Sequence, residues 1–187
     1  MFDNKQLLTT ETVADLLGIS SKAVSLWLEN GVLVEKYPDN QVKVLEESVQ
    51  KILNIKARLK NLKINASQHT LRILIVEDDE DLSRLLQIAI TDFDFPVDIQ
   101  TASDGMEGLI MTSYYKPEII VADINMPVID GITMINSIIG TEFEPKKFIV
   151  ASALNAADIL FKGGLPNIIQ LIFKPYDFDV LKKLLTP

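Results

Sequence analysis

The chain has no cysteine, one histidine and one tryptophan in 187 residues. Without cysteine there is no disulfide framework, no thiolate nucleophile and no cysteine-based zinc site, an absence in keeping with a reducing compartment. The lone histidine, His69, stands in the polar stretch "NASQHT", where it reads as a solvated linker residue and offers nothing to a histidine-based triad. No apolar run approaches the roughly 20 residues that a membrane helix needs. The opening "MFDNKQLLTT" lacks the basic and apolar regions of a signal peptide. The expected setting is soluble and cytoplasmic, with no membrane partner.

What the chain does contain is apolar residues, 48% of the total, enough to bury a real core, and acid. The formal net charge of -8 is unevenly spread: residues 1–70 carry 9 Lys/Arg against 8 Asp/Glu, and residues 71–187 carry 9 against 18. The acidity therefore belongs to the second part. Its sharpest expression is "LRILIVEDDEDLSRLL", where an apolar run leads into five consecutive acids, Glu77 to Asp81. Such repulsion is costly unless a cation or distance relieves it.

From residue 71 onward short apolar runs alternate with helical patterns. The runs 71–76, 97–102, 118–122, 147–151 and 168–173 read as strands; the stretches near 81–91, 105–115, 131–140, 155–161 and 177–185 read as helices. Five strands each followed by a helix predict a doubly wound α/β domain with a five-stranded parallel sheet covered on both faces. In such sheets the ligand site lies beyond the carboxyl ends of the strands, where the strand order reverses. The acids after the first strand belong there, and so does Asp123, which ends the third run in "PEIIVADINMPVIDG".

Carboxylates converging at that point call for an oxygen-loving divalent cation, and magnesium suits carboxylates, a backbone carbonyl, waters and a phosphoryl group. A central carboxylate can then accept the phosphoryl group. Ser152, ending the fourth strand in "FIVASAL", and Lys174, ending the fifth in "LIFKPY", supply a hydroxyl and a cation for the phosphoryl oxygens. A cis bond is expected before Pro175.

Over residues 71–187 the chain resembles the receiver domain of bacterial two-component response regulators, a flavodoxin-like fold. The resemblance rests on the acidic pair after "ILIV", the segment "DINMPVIDG" at 123–131, Ser152, and Lys174 before Pro175, with 29 residues from Asp123 to Ser152 and 22 from there to Lys174. It implies that Asp123 accepts a phosphoryl group from a sensor histidine kinase in a magnesium-dependent reaction, with Glu77, Asp78, Asp123 and the Asn125 backbone carbonyl holding the metal. Ser152 would be the switch hydroxyl and Lys174 the phosphoryl-binding cation. Phosphorylation would then shift the face formed by the fourth helix, fifth strand and fifth helix. It implies no enzyme beyond a receiver that phosphorylates itself. A phosphatase of the haloacid dehalogenase type would need Asp where Asn125 stands. One departure from the pattern is Leu171, three residues before the lysine, where the family carries Tyr or Phe. The remaining acids, Asp79, Glu80 and Asp81, read as the start of a helix, where its dipole favours negative charge.

Residues 1–64 follow a different grammar. In "LLTTETVADLLGISSKAVSLWLENG" Thr9 or Thr10 can cap a short helix, Gly18 makes a turn, and Ser20 can cap a second helix ending at Asn30 and Gly31. A hairpin in "VLVEKYPDNQVKV", turning at 38–40, and a long helix over 45–62 follow; residues 65–70 are the linker. This segment resembles the small winged helix-turn-helix domain of the MerR and excisionase type. By that resemblance the second helix enters the major groove of DNA, with Val24, Trp27 and Leu28 as its core positions. Ser21, Lys22, Ser25 and Lys43 are then the candidate DNA contacts, and the chain is expected to regulate transcription. The alternative is an adaptor whose N-terminal domain binds protein. Ile52, Ile55, Leu59 and Leu62 match an a/d heptad pattern, which serves either a homodimer seam or packing within the chain.

Overall fold

The computed structural model describes residues 7–36, 42–59, 70–152 and 169–186. The expected hairpin turn at 38–40, most of the linker with His69, Leu62 and the helix at 155–161 lie outside them.

The N-terminal unit runs β1 (Leu7–Leu8), α1 (Thr10–Leu17), α2 (Ser21–Glu29), β2 (Glu35–Lys36), β3 (Lys43–Leu45) and α3 (Glu46–Leu59). Thr9 caps α1 by accepting from the Thr12 N–H, and Ser20 caps α2 by accepting from the Ala23 N–H, each satisfying a donor that the helix start leaves orphaned. Between the helices Gly18 takes φ 62, the left-handed turn expected there. The pairing of β2 with β3 is antiparallel as expected, and β1 adds a third strand, in the order β1-β3-β2.

The second part contains β4 (Leu71–Val76), α4 (Glu80–Thr91), β5 (Val97–Ala102), α5 (Gly105–Tyr115), β6 (Ile119–Asp123), α6 (Gly131–Ile138), β7 (Lys147–Ser152), β8 (Ile169–Phe173) and α7 (Phe178–Leu185). The sheet is parallel with strand order β5-β4-β6-β7-β8. Side chains alternate between its faces. Leu74, Val76, Ile120, Ala122, Phe148 and Val150 point into one core, shared with α5 and α6. Ile73, Ile75, Val121, Ile149 and Ala151 point into the other, beneath α4 and α7. The helix expected over 131–140 stops at Ile138, because Ile139 turns to extended backbone and Gly140 takes φ 78.

The first core does not stop at α5 and α6. It continues into the N-terminal unit through Val24, Trp27, Val49, Ile52 and Leu59, with α2 packed on α6 and α3 packed on α5. Trp27, 1% exposed, donates its ring N–H to the Ser137 carbonyl at 3.2 Å and meets Phe143 edge to face at 6.2 Å. It is the core anchor that the spacing predicts, but it anchors one unit to the other. The apolar stripe of α3 is likewise spent inside the chain: Ile52 and Leu59 are buried and Ile55 packs on the same core.

Candidate functional site

The strand order reverses around β4, with β5 on one side and β6, β7 and β8 on the other. At the carboxyl ends of β4 and β6 stand Glu77 and Asp123, 4% and 8% exposed, with the exposed Asp78 beside them. Carboxylate oxygens of these three residues lie within 4.8 Å of one another. Asp79 does not join them; its side chain accepts from the Asp81 and Leu82 N–H groups and caps α4, with Glu80 and Asp81 in the first turn. The run of five acids is therefore divided, two toward the strand ends and three at a helix start.

Lys174 reaches the cluster from the end of β8. Its ammonium donates to both Glu77 oxygens, at 2.8 and 3.0 Å, and lies 3.2 Å from Asp123 Oδ2. Its backbone N–H donates to the Ser152 carbonyl at 2.9 Å, so the lysine is held to the end of β7. The Lys174–Pro175 peptide bond is cis, as expected. Asp123 Oδ1 accepts the Ile124 N–H at 2.7 Å, which fixes the plane of the carboxylate. Ser152 is fully buried at the end of β7, and Asn125 is exposed two residues beyond Asp123.

Electrostatics follow from this crowding. Burial pushes the Glu77 carboxyl above its usual value; Lys174 opposes the shift and the charges of Asp123 and Asp78 reinforce it. Tyr176 donates its hydroxyl to Glu77 at 3.3 Å, and burial, with the charges of Glu77 and Asp123, pushes the phenol well above its ordinary value. Nothing in the sequence marks Tyr176 for this place, because whether its hydroxyl reaches Glu77 depends on how the chain turns after β8. Leu171, the departure from the Tyr or Phe of the family pattern, is half-buried and packs on the first core.

Three convergent carboxylates are hard oxygen donors of the kind that suits magnesium, and among the described residues one ammonium shared between Glu77 and Asp123 leaves the cluster with net negative charge. The donor set fits the ion. Of the residues expected to touch DNA, Ser21, Lys22 and Ser25 lie on the exposed side of α2, and Lys43 is half-buried on β3. The acid cluster with Lys174 and these four residues occupy separate parts of the chain and are not brought together.

Comparison with known proteins bears on the family and the fold. The chain is similar to the transcriptional regulatory protein PrrA of Mycobacterium tuberculosis, 37% identical over 67 residues, which cover 36% of this chain and 28% of PrrA. It is also similar to a protein-glutamate methylesterase/protein-glutamine glutaminase of Hahella chejuensis, 30% identical over 122 residues, 62% of this chain and 31% of that protein. The chain thus spans less than a third of either relative. In fold it is similar to the magnesium-bound receiver domain of a sensor histidine kinase from Pseudomonas aeruginosa, with a TM-score of 0.53 and 19% identity over 62% of this chain and 94% of that one. The methylesterase relatives are enzymes, and they overturn the expectation that a chain of this kind does no catalysis beyond its own phosphorylation. Among the described residues no helix is long and apolar enough to cross a membrane. Residues 73–186 match the model of the response regulator receiver domain, more than half of the chain, and the chain belongs to that family.

Proposed function

We propose that the chain is a phosphorelay response regulator of the cytoplasm, phosphorylated on Asp123 by a sensor histidine kinase. The observation that carries this reading is the meeting of Glu77, Asp78 and Asp123 with the Lys174 ammonium at one point beyond the strand ends. An Asp123 carboxylate oxygen attacks the phosphorus of a phosphohistidine; the new O–P bond forms as the N–P bond breaks, and the imidazole leaves with the electron pair. Glu77, Asp78 and Asp123, with the Asn125 carbonyl, would hold magnesium, which when bound neutralises charge on the phosphoryl group. Lys174 pairs with a phosphoryl oxygen, exchanging part of its bond to Glu77 for it, and Ser152 offers its hydroxyl to another. Acetyl phosphate with magnesium is expected to add one phosphoryl mass to the full chain. The same adduct on Asp123→Asn would overturn the assignment.

The N-terminal unit, read as a MerR/excisionase-like helix-turn-helix domain over residues 1–64, is the output that binds DNA. Two capped helices about a left-handed glycine, followed by an antiparallel pair of strands, support that reading, as does the regulatory role in the name of the relative PrrA. Ser21, Lys22, Ser25 and Lys43 are its candidate contacts. One observation favours protein binding instead: α2 already packs against protein, the α6 helix. Gel-shift assays on genomic fragments with a salt titration separate the two, because phosphate contacts weaken steeply with salt. Absence of binding at every salt concentration would sink the DNA reading.

A further inference from the structure

We propose that the α5–α6 face is the output surface of this receiver and that Glu142 is the latch by which phosphorylation at Asp123 is delivered to α2. The proposal rests on the reading of Asp123 as phosphoacceptor.

Three observations lead to it. First, both helices that carry the N-terminal unit begin in backbone contact with the loop after Asp123. A Cβ at Gly131, the first residue of α6, would lie 2.1 Å from the Asp123 carbonyl oxygen, and the Gly131 N–H donates to the Ile124 carbonyl at 3.0 Å. A Cβ at Gly105, the first residue of α5, would lie 2.2 Å from the Ile129 carbonyl oxygen. Neither helix start can keep its place if the loop moves, since nothing compressible separates them. The loop also holds Val128 at φ 67, a left-handed conformation that a β-branched residue rarely takes. It is a strained segment against the acid cluster.

Second, the far end of α6 and the turn beyond it grip α2 with specific bonds. Glu142 accepts from both the N–H and the hydroxyl of Ser20, the cap of α2, at 2.8 and 2.7 Å. The Trp27 ring donates to the Ser137 carbonyl, and on the α5 side Arg58 pairs with Glu107 at 2.7 Å. The contact is apolar in the middle and polar at its edges. A small shift of α6 breaks the distance-sensitive hydrogen bonds before it uncovers the apolar centre.

Third, the route normally offered by the family is altered here, because Leu171 stands where its aromatic ring would be. A path through the loop and α6 does not need that ring.

The test uses the full chain and reads peptide-level amide exchange across α2 together with emission from Trp27, the only tryptophan. Magnesium with beryllofluoride is expected to speed exchange at the start of α2 about tenfold, the loss of one charge-assisted pair of hydrogen bonds. Glu142→Gln without the mimic should show a similar acceleration, should respond little further to it, and should keep a folded far-ultraviolet spectrum because Glu142 is exposed. Asp123→Asn should not respond. If the mimic binds and α2 exchange stays unchanged while only β8 and α7 respond, the proposal is overturned. Unaltered exchange in Glu142→Gln likewise removes the latch. Should acetyl phosphate leave the mass of the chain unchanged, it is the phosphoacceptor reading that has failed, and the coupling falls with it.

Discussion

On one side of the parallel sheet α4 buries Ser83, Leu86 and Ile90 and leaves Leu85 and Ile88 in solvent, the single stripe of a surface helix. On the other side α5 buries Gly108, Leu109, Ile110, Met111 and Thr112 in unbroken succession, because the sheet covers one flank and α3 covers the other. The difference teaches where the receiver ends as a physical object. Beneath α4 and α7 it closes on itself. Over α5 and α6 its core is completed by the N-terminal unit, so the two parts share hydrophobic stabilisation although their local grammars differ.

The strongest way to break this comparison is to remove Trp27. Trp27→Ala is expected to cost about 3–5 kcal/mol, and urea unfolding should lower the midpoint for the receiver's helical signal as well as for the N-terminal unit. Two separated transitions in the wild-type chain, with the receiver transition unmoved by the substitution, would show that the shared core is not shared in energy. Next in size is the effect of magnesium, which should act from the site outward. At about a hundred times its Kd the ion should stabilise the wild-type chain by about 2.7 kcal/mol, and thermal unfolding of Asp78→Asn should show little of that gain.

Two helix caps sharpen the comparison further. Thr9→Ala and Ser20→Ala each remove a cap worth about 1 kcal/mol, but Ser20 also serves Glu142 across the contact. Ser20→Ala is therefore expected to be the more destabilising of the two in denaturant titrations, and equal losses would mean that the Glu142 bond adds nothing. The smallest effect is one of pH. Burial pushes the Glu142 carboxyl up, but hydrogen bonds from the Ser20 hydroxyl and from the backbone N–H groups of Glu142 and Ser20, with the charge of Lys116, outweigh it and leave the group below its usual 4.5. A depressed carboxylate stabilises the fold above its unfolded value and loses that contribution as pH falls through the folded one. The difference in urea midpoint between wild type and Glu142→Gln should begin to shrink as pH falls below about 4.5; a difference that stays constant as far into acid as the fold survives would mean that charge is not what holds the contact.

The strands and most helices of the receiver were legible in the chain because each apolar run is short, is bounded by turn residues and repeats with the period of its element. The division of the acid run was legible for the same reason. Leu82 begins the helical pattern, so Asp79 to Asp81 must start a helix and Glu77 and Asp78 must end a strand. Less visible was β1, two residues long and recognisable only through its pairing with β3. Tyr176 was not legible as a partner of Glu77, nor Glu142 as a partner of Ser20, 122 positions away. The apolar run in α5 does carry a signal of this cover in the sequence, because a helix apolar nearly all round has to be covered on both flanks.

By itself, then, the amino-acid sequence determined the parallel α/β architecture and the identities of the residues that gather at the strand ends, since periodicity and spacing act locally and the topology of parallel strands leaves few choices. Only the tertiary structure decided which way Trp27, the α3 stripe and Glu142 turn. Apolar burial has no direction and accepts any covering surface, so the sequence could say that those residues must be covered, but not that the receiver would be what covers them.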